Sequence, residues 1–393
     1  MRLFDAHLPD SLQSGGFSEP TYSRLNRSAR PGLQFVRGFL EDWFERYPAS
    51  HKPELRARFR SSSNYHHNSA FFELFLHQLL LSLGCSVEIH PPLTETSRSP
   101  DFHVDLGGNH HFYLEAAVAT YQSAEDAAAE ARLHQLYDVL NRHVDSTDFF
   151  IWVEVNRAPD APPPARRIAR FLNDHLREID PDEVTITYET KGDEALPSWA
   201  FIHEGWSVLF RPIPKKPHAR GKPGVRPLGM FSSPARLVDH RTPLRDAITD
   251  KASAYGEFDE PYVVALNALE MIDEIDVLDA LFGKEQVTVR FSPDNPDQSI
   301  TTSTSRVPDG VWMSPSGPTN TRLSAVVIAY RLRPWSLGEA SIRLYHNPWA
   351  ARTYQSALTR LPQAIPREGR YDYVDGKQAI EVLGIDWPGD LAG

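Results

Sequence analysis

With 393 residues, 41% of them hydrophobic and 24% charged, the chain has ordinary globular composition and enough apolar material for two or three domains. Its single cysteine, Cys85, excludes an intrachain disulfide and a zinc site built from several thiolates, and fits a reducing compartment. No apolar run stands behind Met1–Asp10, and none later approaches the roughly 18 residues of a membrane span, so a cytoplasmic protein with no membrane partner is expected. A net charge of −11 repels polyanions, and any nucleic-acid binding has to come from local basic patches.

Along the chain, the first 30 residues show no clear period and read as an arm. From Pro31 to Tyr47 the apolar positions Phe35, Val36, Phe39, Leu40, Trp43 and Phe44 recur at three and four, with proline at each end, which predicts a packing helix. A polar segment containing Asn64, His66, His67 and Asn68 leads into an apolar helix, Ala70 to Leu83, stopped by Gly84. Strands follow at Cys85 to Ile89, Asp101 to Leu106 and His111 to Ala119, the last two joined by a Gly-Gly-Asn turn at 107–109. Ala124 to Val144 reads as a long helix, Phe149 to Val155 as a strand, Arg166 to Ile179 as an amphipathic helix, and Trp199 to Arg211 holds at least one strand. After a basic, proline-rich stretch come a helix at Leu244 to Tyr255, a strand at Tyr262 to Ala268, a short helix at Val277 to Phe282, and strands at Leu323 to Tyr330 and Ala340 to Tyr345. The expected division is 1–60 as arm and packing helix, 61–212 as core, and 213–393 as a further α/β part. Whether that last part stands alone or extends the first sheet is left open.

The chemistry concentrates where strand alternation puts Asp101, His103 and Asp105 on one face. In the following strand Phe112, Leu114, Ala116 and Val118 line the apolar face, leaving Tyr113, Glu115 and Ala117 opposite. Paired through the glycine turn, the two polar faces coincide and Asp101 approaches Glu115. Two carboxylates so close call for a cation, and Mg²⁺ or Mn²⁺ suits oxygen ligands. A third acid, Glu73, interrupts the apolar sequence of the preceding helix, where a charge is costly unless paired or metal-bound; His77 shares its face.

A helix carrying Glu73, then Pro100-Asp101, then Glu115 after thirteen residues, then a helix and a strand, resembles the PD-(D/E)XK nuclease superfamily over roughly residues 65–156. The resemblance implies an α/β, restriction-endonuclease-like core of helix, three strands, helix and strand. It implies that Asp101 and Glu115 hold Mg²⁺ or Mn²⁺, that the Ala116 carbonyl joins them, and that Glu73 assists. The expected activity is phosphodiester hydrolysis in nucleic acid, DNA before RNA, in a setting such as restriction or phage defence. Ala117 stands where the superfamily has its lysine. A positive group from another element can take that place, with Arg132 and His103 as the candidates; without one, the expectation shifts to a catalytically inactive binding or scaffold protein. Alternatively, Asp101 ends a loop, Glu73 pairs with an arginine, and Glu115 is a solvated strand residue.

Other signals are weaker. Arg211, Lys215, Lys216, Arg220, Lys222 and Arg226 place six positive charges in sixteen residues, interleaved with four prolines. Lys215, Lys216, Arg220 and Lys222 are the candidate nucleic-acid contacts, although a solvated loop explains the stretch equally well. The pairs His66-His67 and His110-His111 could take zinc, but the HExxH spacing is absent. No GxxxxGK[ST], GxGxxG or GxSxG motif occurs, which weighs against a P-loop hydrolase, a dinucleotide enzyme and an α/β-hydrolase.

Overall fold

The computed structural model describes residues 1–6, 9–93, 98–108, 110–119, 124–156, 159–222, 225–232, 239–270, 272–290, 301–367 and 370–389. In chain order the elements are α1 (Thr21–Arg27), α2 (Pro31–Arg46), α3 (Lys52–Phe59), α4 (Asn64–Ser82), β1 (Ser86–Ile89), β2 (Phe102–Asp105), β3 (His111–Ala119), α5 (Ala124–His143), β4 (Phe149–Val155), α6 (Ala165–Leu176), α7 (Pro181–Lys191), β5 (Trp199–His203), β6 (Trp206–Pro214) and β7 (Leu228–Ser232). They continue with α8 (Arg241–Ala252), β8 (Tyr262–Ala268), α9 (Glu274–Phe282), β9 (Glu285–Arg290), β10 (Thr301–Arg306), β11 (Met313–Ser314), β12 (Gly317–Pro318), β13 (Leu323–Tyr330), β14 (Ser341–His346), β15 (Gln363–Arg367), β16 (Arg370–Val374) and α10 (Ala379–Leu383). Among the described residues no helix is long and apolar enough to cross a membrane.

The chain forms two compact units: residues 1–13, 20–121 and 239–393 make one, and residues 14–19 and 122–238 the other. The first is built on an eight-stranded mixed sheet in the order β1-β2-β3-β8-β13-β14-β15-β16. Strands β1, β2 and β3 form an antiparallel meander, and β8 lies parallel to both β3 and β13. Each face of the sheet has its own core. Phe112, Leu114 and Val118 of β3 pack with the apolar residues of α2 and α4, while Tyr113, Ala117 and Ala119 pack with Leu244, Ile248 and Ala252 of α8. Being covered on both sides, β8 and β13 need no polar face, which is why they read as nearly unbroken apolar runs.

Helix α2 turns Leu33, Val36, Phe39, Leu40, Trp43 and Phe44 inward, with Pro31 in its first turn. Helix α4 starts at Asn64, earlier than its apolar pattern suggests, because the polar residues 64–68 form its first turns and even His67 is buried. The expected arm is instead packed: Leu3 and Phe4 are buried, their N–H groups donate to the Glu41 carboxylate at 3.0 and 2.8 Å, and α1 buries Leu25. The segment lacks a period because short pieces bury single residues rather than a stripe. Residues 239–393 add strands to the same sheet as β1–β3, which answers the question left open by their sequence. The meander turn has Gly107 and Gly108 at φ +85° and +62°, a region that favours glycine; Asn109 lies outside the described residues.

The second unit holds a four-stranded sheet in the order β5-β6-β4-β7, with its core formed by Leu136 and Leu140 of α5, Ile168 and Leu172 of α6, and Ile151 and Val153 of β4. Its presence corrects the expected core of 61–212: β4 pairs with β6 and β7, and the strand beside β3 is β8. The local helix-then-strand pattern is the same for α5–β4 and α8–β8, and only the pairing tells them apart. Leu114, fully buried on the α4 face of β3, tests the layer that carries the site. Leu114→Ala should cost about 2–5 kcal/mol, read as a lowered denaturant midpoint; a loss below about 1 kcal/mol would show that the layer tolerates the cavity.

Candidate metal-binding and catalytic site

The register Phe102↔Leu114, continued by one residue, sets Asp101 opposite Glu115. The backbone N–H of Asp101 donates to Glu115 Oε2 at 3.2 Å, and the N–H of Ala116 donates to Asp101 Oδ2 at 2.7 Å. Glu115 is buried, and donors converge on it from the α8 side: Lys251 Nζ lies 2.5 Å from Oε1, and the Tyr255 hydroxyl donates to Oε2 at 2.8 Å. Tyr255 also lies 2.9 Å from the Ser99 carbonyl, and the Tyr262 hydroxyl donates to the Lys251 carbonyl at 3.0 Å, which fastens the end of α8.

Burial, then the charges of Glu115 and Glu73, push the Asp101 carboxyl up to about 8, and the Ala116 N–H and Lys251 offset only part of this. Burial works against the charge of Lys251, yet contact with Glu115 raises it above the ordinary lysine value. Burial and Glu115 likewise raise the Tyr255 hydroxyl. The site therefore pairs one carboxylate bonded by an ammonium, a hydroxyl and an N–H with one that is only partly compensated.

Glu73 comes from the opposite face of the sheet. Its Oε1 accepts from the Tyr47 hydroxyl at 2.5 Å and its Oε2 from Arg58 at 2.6 Å. Its influence on Asp101 is felt through space. Glu54, Glu73 and His90 also bring ligand atoms within 4.8 Å of one another, but Arg58 bonds both acids and fills that position with a guanidinium. Glu73, Asp101 and Glu115 do not make such a three-atom cluster among the described residues. Ala116 contributes its N–H to the pair, and Ala117 packs in the α8-side apolar layer.

The two expected substitutes for the lysine bond other groups. Arg132 donates to the Pro159 carbonyl in the second unit, and His103 Nε2 lies 2.8 Å from Glu260. The positive group that bonds the pair is Lys251, which was not among the candidates offered by the sequence. Its signal was present, since Leu244, Ile248, Lys251 and Tyr255 are spaced by four, three and four, so a lysine occupies the buried stripe of α8.

The basic stretch is half used inside its own unit. Lys215 is buried, with Nζ 3.0 and 3.1 Å from the carbonyls of Ser146 and Thr147, and burial lowers its pKa. Arg220 pairs with Asp182 at 2.6 Å and bonds Thr185. Lys216 and Lys222 are exposed. The adjacent histidine pairs separate as well: burial pushes His67 down to about 4, with Nδ1 against the Phe59 carbonyl, while His110 faces the Gln355 carbonyl. A cleft of about 1180 Å³, lined by Phe282, Trp349 and Tyr371, lies in the same unit, but no residue of the carboxylate pair lines it.

Asp101 and Glu115 offer the oxygen donors that a hard divalent cation takes, although Lys251, Tyr255 and the Asp101 N–H already bond both oxygens of Glu115. Two carboxylates face each other, and the like charge at Asp101 is the strain that such an ion relieves. No protein-family model matches the chain, and no curated protein or solved structure matches it either.

A carboxyl raised to about 8 keeps its proton in the folded state at pH values where the unfolded chain, titrating near 3.9, has lost it. Its contribution to stability is present below about pH 4 and is lost as pH rises through about 8. Without metal, Asp101→Asn should therefore melt several degrees above wild type at about pH 8, the gain shrinking toward about pH 4. Millimolar Mg²⁺ or Mn²⁺ should raise wild type more than the variant. Melting curves in chelator across this range that stay parallel would count against the uncompensated pair.

Proposed function

We propose that the chain is a metal-dependent phosphodiesterase acting on nucleic acid, DNA in preference to RNA, with Asp101 and Glu115 as its metal ligands and Lys251 in the place left by Ala117. The observation that carries the reading is Lys251 Nζ at 2.5 Å from Glu115. The element order supports it: α4, β1, β2, β3, α8 and β8 follow the pattern of helix, three strands, helix and strand, with residues 122–238 inserted between β3 and α8 and with β8 parallel to β3. Restriction or phage defence is the setting that the superfamily resemblance suggests.

A divalent ion on Asp101 and Glu115 would supply charge stabilisation at phosphate and a more acidic water. The ammonium of Lys251 meets any phosphate oxygen or water that approaches Glu115 and stabilises negative charge developing there. Tyr255, bonded to Glu115 and to the Ser99 carbonyl, holds the carboxylate in orientation. Glu73, fixed by Tyr47 and Arg58, acts on Asp101 by its field, keeping that carboxyl eager for a cation.

Wild type, Glu115→Ala, Lys251→Gln and Ala117→Lys should be compared on labelled single- and double-stranded DNA and RNA with Mg²⁺ and Mn²⁺. Wild type should cleave, and Glu115→Ala and Lys251→Gln should each lose about 100-fold or more. Ala117→Lys should be neutral or harmful, since a lysine already serves and the position is packed in an apolar layer. Activity that survives Glu115→Ala would remove this site as its source. Silence of every protein on every substrate would favour the inactive binding or scaffold alternative.

Nucleic-acid contact by the basic stretch now narrows to its two exposed lysines. Replacing Lys216 and Lys222 with alanine should lower the salt slope of DNA binding by up to about 2, near 0.9 per lost phosphate contact. An unchanged slope in filter or fluorescence titrations would make the stretch a solvated loop.

A further inference from the structure

The polar face that carries Asp101 and Glu115 continues along the meander to a second group of different chemistry. His103 on β2 and His111 on β3 occupy diagonal positions of one ladder, since His103 faces Tyr113 and Asp105 faces His111. Their rings lie parallel, 4° apart, with centroids separated by 5.9 Å. The parallel register Tyr113↔Tyr262 brings Glu260, two residues before β8, alongside His111. Glu260 Oε2 lies 2.8 Å from His103 Nε2, and one ligand atom from each of the three residues falls within 4.8 Å of the others.

We propose that His103, His111 and Glu260 form a binding site for a borderline divalent cation of the Zn²⁺ class, separate from the carboxylate pair. Two imidazole nitrogens and one carboxylate are the donors such an ion takes, whereas the all-oxygen pair of Asp101 and Glu115 suits Mg²⁺. Donors around a tetrahedral ion bound at 2.0–2.1 Å stand about 3.4 Å apart, so modest side-chain rotation closes the cluster. The surroundings are those of a cation site. Nδ1 of His111 is buried without a hydrogen bond, and Asp105 Oδ1 stands 3.4 Å from it, placed to orient the ring. Glu88 faces His103 across the β1–β2 ladder, and Asp259 stands next to Glu260 in the chain, so the group lies among further acids.

All three ligands are partly exposed, so the ion loads from solvent, and three protein ligands leave a further position for water or an anion. Joining β2, β3 and the entry to β8, the ion would clamp the strands that hold Asp101 and Glu115 in register. The site does not depend on the nuclease reading, because it uses none of the residues assigned to hydrolysis.

The test uses the full-length chain freed of metal, titrated with Zn²⁺ against a chromophoric chelator and with Co²⁺ by visible absorption. Wild type should bind one equivalent of Zn²⁺ here at micromolar or tighter affinity, on the order of that required of a three-ligand site, and show the Co²⁺ bands of a low-coordinate site. His103→Ala, His111→Ala and Glu260→Gln should each lose at least about tenfold in affinity, while Asp101→Asn keeps the wild-type value. Melting in chelator identifies a variant that fails to fold, and His103→Gln and His111→Gln then replace the alanine forms. Undiminished Zn²⁺ affinity in the folded histidine variants, or no binding by wild type at micromolar Zn²⁺, would overturn the proposal.

Discussion

Glu115 is a carboxylate withdrawn from water in the middle of a sheet covered on both sides, and such a charge costs several kcal/mol unless it is paired and hydrogen-bonded. Its partners, Lys251, Tyr255 and the N–H of Asp101, come from a helix, the chain after it and the start of the neighbouring strand. Satisfying one side chain therefore fixes α8 against β3 and aligns β2 with it. A slip of β3 by one residue would turn Glu115 into the apolar layer of α4 and leave it without any of these donors. The burial that makes Glu115 expensive is also what makes the register unique.

The two faces of the sheet treat their acids differently. On the α4 side Glu73 is closed off by the Tyr47 hydroxyl and the Arg58 guanidinium, and burial and Glu73 together raise the Tyr47 hydroxyl. On the α8 side Lys251 answers Glu115, while among the described residues Asp101 receives the Ala116 N–H and a distant share of Lys251. The less compensated acid of the site is thus Asp101, at the mouth of the β2–β3 ladder, and its raised pKa keeps it protonated until pH rises toward about 8 or a cation takes the proton's place.

Much of this was legible in the sequence. The elements with one clean period, β3, β4, β8 and β13, lie where alternation or an unbroken apolar run puts them, and the facing of Asp101 and Glu115 follows from strand parity across a glycine turn. What was not legible is pairing over long separations. Nothing local distinguishes β4 from β8 as the neighbour of β3, because both follow helices and both are apolar; only the parallel ladder between Tyr113 and Tyr262 decides. The same limit hid Lys251, 136 residues from Glu115. Lys215 shows the opposite error, since a basic run suggests solvent and phosphate, while the fold had backbone carbonyls waiting at residues 146 and 147.

Lys251 on its own admits two histories, because a lysine bonded to a buried glutamate is also what a purely structural ion pair looks like. Asp101 weighs between them. A structural pair has no use for a second carboxyl held against the first, and burial beside Glu115 and Glu73 keeps that carboxyl raised at a cost to stability above its unfolded pKa. An asparagine at 101 could accept the same Ala116 N–H without that cost. The raised acid therefore accords better with the cation-holding role proposed for the pair than with a purely structural ion pair.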